Sequence, residues 1–394
     1  MIGKASYKST LSVKNLLLEL AIICSVFSQI ESVERVFRFA MYIMWILVLL
    51  FGLAKQRSLV HINDFSKTFI FAYLLFVLFC LLRGFIDNNF LTTNYLRVLL
   101  VPLMVTISGD IVADDNIKTI DKLCRVYLIC ALIFAVWVQR TYFTSYSSWL
   151  VSRRYIFSEK NSAGQIWSAA IFISIFLLHY KSRLEKTLIY MACMYLLIMI
   201  GICQCRTSIL GIGVAITAYI FVRSKKKLKL TILIALVVLS LYYIPFTRNF
   251  INQALFLTKY AGTDLNTFSS GRIVKYIKAL QLFKSSPYIG VGQYYVDCSY
   301  LLILVESGII GFLIIEWIWI NKLILSYRYK ANDKYRVFLF MMTTFYIIES
   351  ILEGYPPFGP GVSSFMYWFL SSVIINSLSN QNNHQVNALN KEEL

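Results

Sequence analysis

Residues 187–222 read TLIYMACMYLLIMIGI, then CQCR, then TSILGIGVAITAYIFV. Each flanking run approaches the roughly 20 apolar residues that carry a helix across a bilayer. The stretch holds a single charge, Arg206, in the turn Cys205–Arg206–Thr207. No period-two alternation appears over such lengths, which argues against an outer-membrane barrel. The same texture continues in both directions, with apolar runs near 16–30, 37–54, 68–82, 96–112, 123–138, 162–178, 230–246, 298–320, 337–352 and 363–378. The expected fold is all-α, a polytopic integral membrane protein of about twelve transmembrane helices.

Composition agrees. Of 394 residues, 58% are hydrophobic and 15% charged, whereas about a quarter of a soluble protein is charged. A soluble enzyme, a disordered chain and a nucleic-acid module are excluded, so no nucleic-acid partner is expected. The 38 Lys and Arg against 20 Asp and Glu are therefore read against a bilayer. Connections on the cytoplasmic side are enriched in Lys and Arg. Segments 1–15, 55–67, 113–125, 179–187, 223–229, 321–336 and 379–394 hold 23 of them in 89 residues. The alternate set, 31–38, 83–97, 139–161, 203–207, 247–297 and 353–362, holds 15 in 112. The first set is placed in the cytoplasm, anchored by Arg223, Lys225, Lys226, Lys227 and Lys229, and both termini go with it. Lys4, Lys8 and Lys14 ahead of an apolar run superficially suit a signal peptide, but no small-x-small cleavage pattern follows Ile30. That run is read as a retained first helix. Residues 1–379 are expected to form a single transmembrane domain, and the polar 380–394 a disordered cytoplasmic tail.

The outer loops carry 15 positive residues against 7 negative. Two of them, 139–161 and 247–297, are long, and long loops are where sites tend to sit. In and beside them lie Arg153, Arg154, Lys160, Arg206, Arg272, Lys275, Lys278 and Lys284. Arginine offers a planar fork of donors matched to phosphate oxygens, so a phosphorylated, membrane-borne ligand is one reading. For any single arginine, contact with lipid headgroups and surface solvation is the preferred reading. Arg206 differs, because a charge in so tight a turn beside the membrane is costly without a task. Residues 269–284 form an amphipathic helix capped by Ser269 or Ser270, with Ile273, Tyr276, Ile277, Leu280 and Phe283 on one face and Arg272, Lys275 and Lys278 on the other. Its apolar side fits either the membrane interface or the surface of the bundle. Gly290-Val-Gly292 follows, a backbone free to approach a ligand closely.

What is missing narrows the chemistry. His61, His179 and His384 all fall on the inner side or in the tail, so no outer histidine is available as base or zinc ligand. No CxxC and no carboxylate cluster for a divalent metal is visible, and neither metal nor cofactor is expected. The outer carboxylates Glu159, Asp264, Asp297 and Glu353, with Glu306 and Glu349 deeper in helices, are each a candidate base, sugar ligand or salt-bridge partner.

Several of these pieces together resemble a family. Ser270-Gly-Arg272, Lys284-Ser-Ser-Pro287-Tyr-Ile-Gly290-Val-Gly292 and Tyr300-Leu-Leu-Ile-Leu-Val-Glu306-Ser-Gly308-Ile-Ile-Gly311 look like the C-terminal signature of the O-antigen polymerase and ligase superfamily. Phe157-Ser-Glu-Lys-Asn161-Ser-Ala-Gly164 and Cys205-Arg206-Thr-Ser208-Ile-Leu-Gly211 agree with it. The polymerases' spacing of Arg, ten residues, then Gly is met by Arg153 and Gly164 but not after Arg272. The ligase branch carries a histidine where this chain reads Asp297-Cys298-Ser299-Tyr300, which favours the Wzy-type polymerase branch. A lipid-linked glycan flippase or other transporter suits the helix count, but such proteins show repeated halves and this chain shows no repeat.

The resemblance implies undecaprenyl-diphosphate-linked oligosaccharides as donor and acceptor on the periplasmic face of a bacterial inner membrane, and a chain-length-determining co-polymerase as partner. It implies metal-independent inverting glycosyl transfer, in which arginines take the charge of the leaving diphosphate. Arg206 and Arg272 are assigned to the diphosphate, with Arg153 and Arg154 as further contacts. Asp297 is the first choice of acceptor base, with Glu159 and Asp264 behind it. Asn161, Lys275, Lys278, Gly290, Gly292 and Glu306 complete the expected substrate contacts.

Overall fold

The structure, a computed structural model, describes residues 2–55, 64–87, 95–112, 117–145, 160–223, 242–254, 269, 271–328, 334–354 and 364–376, with isolated positions between 229 and 240. Among the described residues there are thirteen helices and no strand. They are α1 (Ile2–Phe27), α2 (Glu34–Lys55), α3 (Asp64–Asp87), α4 (Tyr95–Val112), α5 (Ile117–Tyr142), α6 (Lys160–Phe176) and α7 (Arg183–Ile202). Then follow α8 (Arg206–Arg223), α9 (Pro245–Ala254), α10 (Arg272–Ser285), α11 (Ser299–Arg328), α12 (Lys334–Leu352) and α13 (Ser364–Asn376). Every expected apolar run except 230–246, which lies largely outside the described residues, coincides with one of these helices. Stretches of α2, α3, α7, α11 and α12 are long and apolar enough by length and composition to cross a membrane. The chain is an all-α polytopic membrane protein.

A helix apolar all round belongs inside a bundle, and α13 is buried at every position from Ser364 to Asn376. Rings of α2 (Trp45), α5 (Tyr127) and α3 (Phe69) pack on its Phe365, Phe369 and Trp368. Tyr346 of α12 and Trp319 of α11 close around its Tyr367, and Asn376 donates to the Asp110 carbonyl of α4 at 3.3 Å. The buried residues run as one contiguous cluster from Leu18 to Ile375.

Two polar knots mark opposite ends of α12. At its start, Lys334 Nζ lies 3.2 Å from His179 Nε2. Arg125 of α5 meanwhile pairs with Asp121 at 2.7 Å and with Glu185 of α7. Ser182 caps α7 by accepting from Glu185 N at 3.1 Å. At the other end, beyond Leu352, stands Glu353. The 19 residues between the knots span about 28 Å at 1.5 Å per residue, close to the hydrocarbon thickness of a bilayer.

One buried cation sits apart from both knots. Lys322 of α11 is 1% exposed, with its Nζ 3.7 Å from the Trp368 ring centroid and 3.8 Å from that of Tyr367. Its Nζ has no hydrogen-bond partner among the described residues. A desolvated cation–π contact returns about 2 kcal/mol, while removing an ammonium from water costs several. Lys322→Met, of similar shape, is therefore expected to raise the unfolding midpoint of the detergent-solubilised protein by the equivalent of about 1 kcal/mol or more. A lowered midpoint would show that the amine holds the aromatic cage together.

Candidate active site

The second knot is assembled from helix ends. The turn after α12 is fixed by Tyr95 at the start of α4, whose hydroxyl lies 2.7 Å from Ser299 Oγ and donates to the Gly354 carbonyl at 3.2 Å. Gly354 is packed so closely that a Cβ there would come within 2.9 Å of the Val296 carbonyl oxygen. The preceding residue, Glu353, points into the space left by α6 and α10. Its Oε1 accepts from Asn161 Nδ2 at 2.9 Å and from Arg272 Nη2 at 3.0 Å. Arg272 Nε is 3.8 Å from Asp297 Oδ2, and Lys275 Nζ is 3.3 Å from the same oxygen. The Tyr276 hydroxyl donates to the Asp297 carbonyl at 2.5 Å.

Burial sets the electrostatics. The Glu353 side chain is 13% exposed and that of Arg272 22%. Burial pushes the Glu353 carboxyl above its ordinary value, although Arg272 beside it pulls the other way. Burial also works against the charge on Arg272, but Glu353 and then Asp297 more than offset it and hold the guanidinium above its usual value.

One turn further along α12 the pattern repeats. Glu349, fully buried, accepts from Gln165 Nε2 at 3.1 Å and from Ser208 Oγ at 2.8 Å. Asn161 and Gln165 are four apart on α6, as are Glu349 on α12 and Glu353 just past its end, so the two segments face each other through two amide–carboxylate rungs. The α8 helix completes the crossing. A Cβ on Gly164 would lie 2.6 Å from Ser208 Oγ and 2.9 Å from Cys205 Cβ, so this glycine sets the approach of α6 to α8.

Three helices therefore begin at this end with a basic residue: α6 with Lys160, α8 with Arg206 and α10 with Arg272. Helix N-termini carry positive dipole ends and unsatisfied N–H donors. Lys160 is within electrostatic reach of both Arg206 and Glu353, which ties the α8 start to the same cluster. The tight bend before Arg206 is made by Gln204, at φ 55°. A largely buried carboxylate among such cations is suited to abstract a proton beside a bound anion.

The sequence-derived residues distribute unevenly. Asn161, Arg272, Lys275 and Asp297 come together, with Arg206 linked through Lys160. The cluster is centred on Glu353, and Asp297 is an ion-pair partner of Arg272 and Lys275 within it. Arg272 turns toward Glu353 and Asp297, not out with Lys278, which is exposed on α10. The cap of α10 is Gly271, at φ 82° with no side-chain capping bond, while Ser269 Oγ accepts from Ile273 N at 3.4 Å. Arg153, Arg154, Glu159 and Asp264 lie outside the described residues, as does the tail 380–394.

Gly290, Gly292 and Glu306 form a joint of their own. The α11 helix breaks at Gly308, φ 62° and ψ −169°, and residues 286–292 lie against the break. Val291 N donates to the Val305 carbonyl at 2.7 Å, and Gly292 N to that of Glu306 at 3.2 Å. A Cβ on Gly290 would lie 2.5 Å from the Glu306 carbonyl carbon. Arg83 of α3, 3% exposed, donates from Nη1 to the Glu306 carbonyl at 2.5 Å and from Nη2 to that of Gly290 at 3.0 Å. The close approach these glycines permit is to protein backbone. Sequence reading passes over Arg83, Gln165 and the central place of Glu353. The available signal was the matched four-residue spacing of Asn161–Gln165 and Glu349–Glu353.

No curated protein matches the chain. A family model described as O-Antigen ligase matches residues 191–315. The matched region takes in the bend at Arg206, the α10 helix with Arg272, and the glycine joint at 290 and 308. The match, which covers less than half of the chain, supports the resemblance to the O-antigen polymerase/ligase superfamily.

Proposed function

We propose that this protein is the polymerase of that superfamily, a glycosyltransferase joining undecaprenyl-diphosphate-linked repeat units on the periplasmic side of the bacterial inner membrane. One observation carries the reading. A largely buried carboxylate, Glu353, is held by Asn161 and Arg272 where three helices begin with basic residues. The donor diphosphate rests against Arg272 and Arg206, whose fixed charges stabilise the leaving group as the glycosidic bond breaks. Glu353 takes the proton of the acceptor hydroxyl, and Asp297 holds Arg272 and Lys275 in place. Arg153 and Arg154 are assigned to further donor or acceptor contacts. A single displacement inverts the anomeric centre. The residues Asp297-Cys298-Ser299-Tyr300, with no histidine, favour polymerase over ligase. The bundle spans as one domain with both termini in the cytoplasm, and a chain-length-determining co-polymerase is its partner.

The test is a gel profile of lipopolysaccharide from a strain lacking the gene, with and without complementation. Core bearing one repeat unit, with the ladder restored by the gene, is the expected result. Core without any repeat unit overturns it. Long chains stranded on the carrier lipid would then identify a ligase, and their absence a flippase.

A further inference from the structure

We propose that Glu349 is a second proton site, receiving from Glu353 the proton taken from the acceptor, so that the two carboxyl groups act as a relay along α12. The inference rests on the glycosyl-transfer reading above and assigns a task to a group which that reading leaves unused. An ionisable side chain fully buried in a membrane bundle is costly and marks a functional path. Glu349 is such a group, and it lies one helical turn from Glu353 on the same face, where side chains four apart are neighbours.

The two rungs differ in their partners. Glu353 is paired with the Arg272 guanidinium, so a proton left on it breaks an ion pair in the site. Glu349 is met from α6 by the neutral amide of Gln165 and from α8 by the neutral hydroxyl of Ser208. The other ionisable groups around the pair are Tyr346 of α12, Cys205 of α8 and Lys160 of α6, with Arg272 of α10 and Asp297 beyond Glu353. A proton on Glu349 separates no ion pair, and the Ser208 hydroxyl rotates from donor to acceptor to meet it.

The step balances as follows. The acceptor oxygen forms its bond to the anomeric carbon as the bond to the diphosphate breaks, and the electron pair leaves with the diphosphate. The acceptor O–H proton passes to the Glu353 carboxylate and from there to the Glu349 carboxylate. Glu353 is thereby restored as an anion beside Arg272, and Glu349 gives up its proton to the departing carrier diphosphate before the next unit arrives.

The experiment uses the full-length protein in proteoliposomes with a lipid-linked repeat unit, comparing wild type, Glu349→Gln and Glu349→Ala. Glutamine keeps the shape, its Oε1 accepting from Gln165 Nε2 and its Nε2 donating to the Ser208 hydroxyl, but it cannot take a proton. Glu349→Gln is expected to lower kcat at least about tenfold at unchanged KM, a loss on the scale of impaired proton transfer. Its solvent deuterium isotope effect is expected to rise above that of wild type. A Glu349→Gln enzyme with wild-type kcat and pH profile overturns the relay. So does a rate restored by glutamine but lost with alanine, the signature of a brace. A wild-type protein that transfers no glycan refutes the underlying reading instead, and the two failures are thus told apart.

Discussion

Arg272→Ala is expected to abolish polymer while leaving the amount of protein in the membrane unchanged. Removal of one preorganised charge from a developing anion costs about 10²–10³ in rate, and Arg272 also touches both carboxylates of the site. The fold tolerates the change because Glu353, already pushed up by burial, takes a proton when its partner goes and leaves no unpaired anion behind. That escape has its own signature. Activity requires Glu353 as carboxylate, so in wild type the rate rises with pH through a value above the ordinary carboxylate range. Arg272 pulls that value down, hence its removal moves the acidic limb to still higher pH. Lysine should not rescue, since a point charge cannot reach Glu353 and Asp297 together as the planar fork does. The measurements are ladder length in complemented cells and residual turnover against pH in proteoliposomes. A normal ladder in Arg272→Ala would remove the diphosphate assignment.

Much of this bundle is written in local pattern. Charge density alone places 113–125, 179–187 and 321–336 on one side and 139–161, 203–207 and 353–362 on the other. The fold gathers Asp121, Arg125, His179, Glu185 and Lys334 at one end and Asn161, Arg272 and Glu353 at the opposite end. Alternation is legible because each connection carries its own charge signal. Partner choice is not local. Asn161 meets Glu353 across 192 positions, and Arg83 meets the Glu306 carbonyl across 223. No periodicity in either segment names the other. Asp297 attracts attention in the sequence because it stands where the ligase branch carries a histidine, whereas Glu353 stands at the end of an apolar run with no cation beside it in sequence. Helix packing supplies that cation from α10. Glycine is ambiguous in the same way. Gly290 and Gly292 announce a backbone at positive φ, and that signal is identical whether a ligand or another strand of chain comes close.

The glycine joint carries the second large effect, and it separates stability from chemistry. Gly308→Ala is expected to deplete the folded protein. At φ 62° and ψ −169° the backbone sits in a region open essentially to glycine, at a cost of about 1–3 kcal/mol to other residues. Space adds to strain, because a Cβ there would collide with the carbonyl of Tyr288 and lie 2.5 Å from Ile289 N. These are backbone atoms, so no side chain can swing aside. They cannot retreat as a unit either, since Ile309 N donates to the Pro287 carbonyl at 2.9 Å and Ile310 N to that of Tyr288 at 3.3 Å. Separating the segments would strip partners from backbone groups inside a membrane bundle, where each loss costs several kcal/mol. Fluorescence-detected size exclusion of tagged protein should show Gly308→Ala far below wild type. Arg83→Met should fall in the same direction by less, because it removes two bonds to carbonyls and adds no clash. Activity per folded molecule should survive in whatever Gly308→Ala protein remains, the inverse of Arg272→Ala, because the joint lies apart from Glu353 and braces α11 behind it. Wild-type yield of Gly308→Ala would mean that α11 passes residue 308 unbroken.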